Sequence, residues 1–170
     1  HFHHEDFFHE QYPSNFKYKT IIFGLESRLY QKVMPFEKRI SNKILNSGNV
    51  GNLKIPSRII NIIKNPKWNA LSCYKLRTLC NKLPYVDYTS TLQHEFVGDK
   101  YPLLLEKYCS AIAACTFNPL IKYWEIPAAG CLTFMEITKK NKGEFLGYED
   151  EKTVIAIDEN NYVEKFEKYL

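Results

Sequence analysis

The sequence predicts an α/β domain, three layers deep, with a mostly parallel sheet flanked by helices. Two observations predict it. Short apolar runs of strand length recur along the chain. Between them lie segments whose apolar residues step by three and four, as on one face of a helix. Size and composition agree with one such domain. The chain has 170 residues, 45% of them hydrophobic and 25% charged. That is enough to bury about 70% of the surface an unfolded chain exposes. No apolar run approaches the ~20 residues of a membrane span.

Residues 1–18 are aromatic and histidine-rich without periodicity, and read as a linker or incoming arm. His1, His3, His4 and His9 invite a metal reading. They show no recognisable ligand motif, so a terminal segment is the plainer reading and no metal site is expected. Residues 19–170 read as a single domain. KTIIFG (19–24) is a strand ending at Gly24. Leu29, Val33, Phe36, Ile40 and Ile44 then predict an amphipathic helix, its regular part beginning near Pro35. Residues 46–56 read as loop, with a short strand at NLKI as an option. Residues 57–82 read as helical but broken at Pro66. YVDYTS (85–90) is a short strand, and 99–108 a helix capped by Asp99. The last third is the most regular: strand 110–117, helix 119–126, strand 128–136, strand 152–158 and closing helix 159–170.

Composition narrows the function classes. The net charge of +4 suits an anionic small molecule or a membrane surface and is weak for a nucleic-acid binder. No basic amphipathic helix is evident in the sequence to compel a membrane place. The five cysteines have no repeated spacing and no CxxC pair, which fits a reducing, cytoplasmic setting. No signal peptide or lipidation motif is recognised. The chain does not begin with Met and reads as a piece of a longer protein. Neither a nucleophile elbow nor a P-loop is present, and the histidines and cysteines are scattered. His94 reads as a loop residue, and Trp68 and Trp124 as core.

Ligands of parallel sheets bind beyond the carboxyl ends of the strands. Three transitions there are worth weighing. Gly24 with Arg28 is either a plain tight turn or a close approach for phosphate. Lys122 and Glu125, three apart on a short helix, are either a surface ion pair or a ligand pair. A carboxylate there accepts both hydroxyl protons of a ribose, and a lysine neutralises phosphate. Glu136, followed by Lys139, Lys140 and Lys142, reads as a strand end with a solvated charge run.

The segment KYWEIPAAGCLTF (122–134) resembles the Lys-Tyr-Phe-Glu-Ile-Pro-Ala-Cys-Gly block of group 1 glycosyltransferases. These have the GT-B fold, and the similarity is to the spore-protein-like and capsule-type branch. Residues 101–116, 145–170 and 18–40 are similar to that family's neighbouring stretches, while 46–97 matches poorly. The resemblance implies one Rossmann-like half of a two-domain enzyme, the half that holds a nucleoside-diphosphate sugar. The N-terminal half would be missing, and the acceptor would be a glycan, lipid or protein. It implies no metal or other cofactor, and no nucleic-acid partner. It implies that Glu125 binds the donor ribose, and that Gly130 lets the next strand start close to the donor. Arg28, then Lys32, are its candidates for the diphosphate, with Lys122, Gly24 and Asn118 nearby. Relatives often carry a sugar-contacting glutamate eight positions before the ribose-binding one. Phe117 stands there, and Asn118 is one candidate to replace it. The alternative is a non-catalytic α/β interaction module that has kept the fold and lost donor chemistry.

Overall fold

The computed structural model describes residues 12–17, 24–30, 34–66, 69–89 and 95–170. Five strands form one sheet: β1 (Ile40–Ser47), β2 (Val86–Thr89), β3 (Tyr108–Ala113), β4 (Leu132–Glu136) and β5 (Ile155–Ile157). Every pairing is parallel, in the order β2-β1-β3-β4-β5. Among the described residues six α-helices accompany them: α1 (Ile55–Lys64), α2 (Ala70–Cys73), α3 (Lys75–Cys80), α4 (Tyr101–Leu105), α5 (Lys122–Ala128) and, after the last strand, α6 (Tyr162–Tyr169). The sheet with helices on both faces is the predicted three-layer, Rossmann-like α/β architecture.

Period two along each strand divides the core. Leu45, Ala111, Ala113 and Met135 pack on one face with Leu104 and Leu105 of α4 and Tyr123 and Ile126 of α5. Ile44, Ile112, Phe134, Ile155 and Ile157 pack on the other with Leu76 and Cys80 of α3 and Phe166 of α6. Phe166 is fully buried and meets Phe134 edge-on at 4.6 Å. Burying such a ring contributes about 1.5–3 kcal/mol.

Local chemistry sets several boundaries. Pro56 sits in the first turn of α1, and the helix stops at Lys64, just ahead of Pro66. Asn69 caps α2 by accepting the Ser72 N–H at 3.0 Å. Gly130 follows α5 at φ +71° and donates to Pro127 O at 2.9 Å. The buried Arg39 donates to Ala129 O at 3.0 Å, placing a cation at that helix end.

The largest departure from expectation lies before residue 48. The predicted helix through Phe36, Ile40 and Ile44 does not form. Single 3₁₀ turns occupy Ser27–Leu29 and Phe36–Lys38, and β1 begins at Ile40. Ile40 and Ile44 are four apart, a spacing that fits one face of a strand as well as a helix. Pairing with β2 on one side and β3 on the other decides between them. The predicted strand at 19–24 and Lys32 lie outside the described residues, Gly24 excepted. Asp99 does not cap α4: it falls within the 3₁₀ turn Gly98–Lys100, and the helix has no side-chain cap. No strand forms at NLKI, whose last residue opens α1.

Candidate functional site

The chain leaves β1 toward β2 and then crosses back to β3 on the other side. The loops beyond the carboxyl ends of β1 and β3 therefore diverge, the usual ligand crevice of a doubly wound sheet. A cavity of about 190 Å³ lies there. Its wall includes Ser47 and Gly48 from the end of β1, Tyr101 from α4, Arg28, and Lys122 and Glu125 from α5. Phe96, Val97 and Ile121 make an apolar side.

Two cations meet at Gly48. Arg77, on α3, reaches from one face of the sheet. Its guanidinium bonds Asn46 Oδ1 at 3.0 Å and Ser47 O, and it is almost completely buried. Lys122, the first residue of α5, reaches from the other face. Its Nζ donates to Ser47 O at 2.7 Å and Ser47 Oγ at 2.9 Å, and contacts Tyr101 OH at 3.2 Å. A Cβ at residue 48 would stand 2.9 Å from Arg77 Nη2 and 3.1 Å from Lys122 Nζ. The backbone there has φ +109°, which favours glycine for a second reason.

Charge in the site is positive and confined. Burial, then the adjacent Arg77, pushes the Lys122 ammonium down to about 7, against the attraction of Glu125. Burial also lowers the Arg77 guanidinium. Glu125 is buried, and its Oε1 accepts from Arg28 Nη2 at 2.9 Å. Burial raises its carboxyl, with Arg28 and Lys122 opposing. Arg28 also pairs with Glu26 at 3.0 Å and donates to Gly98 O. Donors and cations gathered around an open volume are the chemistry that can receive an anion.

The structure brings Arg28, Lys122 and Glu125 together, three residues singled out in the sequence. It does not bring the others. Gly24 is exposed, with no atom within 4 Å of a Cβ built on it, and does not line the cavity. Asn118 lies in the loop after β3, its Oδ1 3.7 Å from the Cys115 sulfur, and is not in the cavity wall. Gly130 closes α5 at the amino end of β4, the opposite edge of the sheet, so close approach to a donor is not its role. Ser47, Gly48, Arg77 and Tyr101 are the residues sequence reasoning missed. The run KILNSG ends in a glycine, as strand-to-helix turns do, and that signal was present. Arg77 carried none, being one cation among many on a helix.

Glu136 ends a strand, as expected. It is buried at the end of β4, with Oε2 lacking a hydrogen-bond partner. Burial, then nearby Glu159, pushes its carboxyl up to about 7. Trp124 packs against the core, as expected. His94, Trp68 and the four N-terminal histidines lie outside the described residues. Among the described residues no cluster of histidine, cysteine and carboxylate side chains can hold a metal ion, and no helix is long and apolar enough to cross a membrane. No family model, curated protein or solved structure matches this chain.

Proposed function

We propose that this chain is the donor-binding domain of a two-domain glycosyltransferase, holding a nucleoside-diphosphate sugar for transfer to an acceptor. The observation that carries the reading is the pair of cations, buried Arg77 and half-buried Lys122, converging on Gly48, with Lys122 and Glu125 in the cavity wall. A diphosphate in the cavity would meet Lys122 and Arg28 in its wall, with Arg77 buried behind Gly48. Glu125, beside them in the wall, would accept from ribose hydroxyls, and Phe96, Val97 and Ile121 would take the flat face of a base. Breaking a sugar–diphosphate bond leaves negative charge on the departing phosphate, and fixed cations at low dielectric stabilise it.

Two observations favour the alternative, a non-catalytic interaction module. A cavity of about 190 Å³ is smaller than the roughly 300–1,000 Å³ usual for ligand pockets, and Arg28 already occupies Glu125 Oε1. Donor binding would therefore require Arg28 to exchange its carboxylate for phosphate.

Thermal unfolding with millimolar UDP, GDP and their sugar conjugates tests the proposal. A ligand at 100-fold over Kd adds about 2.7 kcal/mol, which is several degrees for a chain of this size. A shift with one nucleotide, reduced in Glu125→Ala by roughly 1.5–3 kcal/mol of binding, is the expected result. A shift that Glu125→Ala leaves unchanged removes Glu125 from the site. No shift with any nucleotide favours the interaction module.

A further inference from the structure

The α1 helix stands apart from the nucleotide reading. Its sequence is IPSRIINIIK, and none of its residues is buried among the described residues. Ile55, Ile59, Ile62 and Ile63 recur at helical spacing and share one face, with Ser57, Asn61 and Lys64 opposite. Ile55 and Ile63 are 73% and 75% exposed. Leu53 and Ile60, also exposed, extend the patch. An apolar groove of about 470 Å³ separates α1 from α2 and α3, with Arg58 and Lys75 in its wall. Charge supplies the second half of the observation. Between Glu37 and Asp87 the chain has no acidic residue but ten lysines and arginines.

We propose that α1 docks this domain on a membrane surface carrying anionic lipid. The isoleucine face enters the boundary between headgroups and acyl chains, and Lys54, Arg58 and Lys64 meet lipid phosphates. A nucleic-acid surface fits less well, because it offers nothing to bury five isoleucines. A second copy of this chain fits less well too, because the exposed Lys54, Arg58 and Lys64 around the isoleucines would meet like charges. The consequence for the neighbouring cavity is one of distance. Ile55 is seven chain steps from Gly48, so the docked helix begins within about 25 Å of the anion site.

Vesicle flotation with the whole chain tests this, comparing phosphatidylcholine alone with a 3:1 mixture of phosphatidylcholine and phosphatidylglycerol. The expected result is flotation with the mixture, little with phosphatidylcholine alone, and loss at high salt. Ile59→Asp/Ile63→Asp should weaken partition on the order of tenfold or more, and so should Arg58→Glu/Lys64→Glu. Both pairs are exposed, and circular dichroism with the nucleotide thermal shift checks that the variants remain folded. Failure to float with either vesicle overturns the proposal. Equal flotation with both overturns the anionic requirement. Flotation unchanged in both variants overturns the role of α1. Binding of duplex DNA or single-stranded RNA without flotation assigns the surface to nucleic acid instead. Self-association lost in Ile59→Asp/Ile63→Asp, without flotation, assigns it to a second copy. The nucleotide shift is read in the same samples, so either reading can fail without the other.

Discussion

Lys122 carries a pH signature that a surface lysine lacks. Its ammonium is held at about 7 by burial and Arg77, with Glu125 opposing and Tyr101 in contact. In the unfolded chain it titrates near 10.5. The folded state therefore binds fewer protons between those values, and this group's contribution to stability rises as pH climbs through that window. Ligand binding has the opposite sign, because a diphosphate favours the charged form. Nucleotide affinity should fall as pH rises above about 7, approaching tenfold per unit. Titration calorimetry from pH 6 to 8.5 measures it. Lys122→Arg should flatten the profile, while Lys122→Met should lose binding without loss of fold. Glu136 behaves differently. Its carboxyl is raised from 4.5 to about 7, so the folded state binds more protons in that interval, and stability falls as pH rises through it. Glu136→Gln should be more stable than the parent at pH 8, by up to about 3 kcal/mol, and show no gain at pH 4. Urea unfolding at the two pH values decides.

The β1–Gly48 junction is the element on which the site turns. β1 ends at Ser47, whose carbonyl receives both Arg77 and Lys122, and the next residue holds them apart from the chain by having no side chain. Gly48→Ala adds a Cβ 2.9 Å from Arg77 Nη2 and strains a backbone at φ +109°. It should cost roughly 1–3 kcal/mol of stability and abolish the nucleotide response. Gly147→Ala is the control, since φ is +74° there and the space is open. It should lower stability and leave the nucleotide response intact. This junction also marks where elements were and were not legible. Strands β4 and β5 and helix α6 stand within their sequence-based ranges, and β3 overlaps its range but begins two residues early, because each carries one dominant period and clear breakers. β1 was not legible. Its apolar residues at 40 and 44 satisfy strand and helix alike, and the preceding apolar residues at 29, 33 and 36 continue the helical spacing. Only hydrogen bonding to two neighbouring strands separates the readings.

At the level of the whole chain, the site is assembled from places far apart in sequence. Ser47 and Gly48, Arg77, Tyr101, and Lys122 with Glu125 come from four stretches of chain. The strand order brings them together. With β1 beside β3, the carboxyl end of β1 faces the amino end of α5, and α3 lies across the sheet from α5. Arg77 and Lys122 thus arrive from opposite faces at one glycine. The helix α1 begins seven positions after that glycine, within a stretch of sequence that carries no acidic residue.

Local information was sufficient for the α/β class, for a parallel sheet, and for Lys122 and Glu125 as neighbours, because side-chain period and i, i+3 spacing are properties of a few consecutive residues. Arg28 was legible as a candidate from its place just after a glycine. The identity of β1, the strand order, the convergence of Arg77 on Gly48 and the exposure of α1 were not legible. Those depend on which apolar faces bury against which, and that choice is made between segments distant in the chain. Gly130 shows the same division: its position after a helix was readable, but its place at the far edge of the sheet follows only from the direction in which α5 runs.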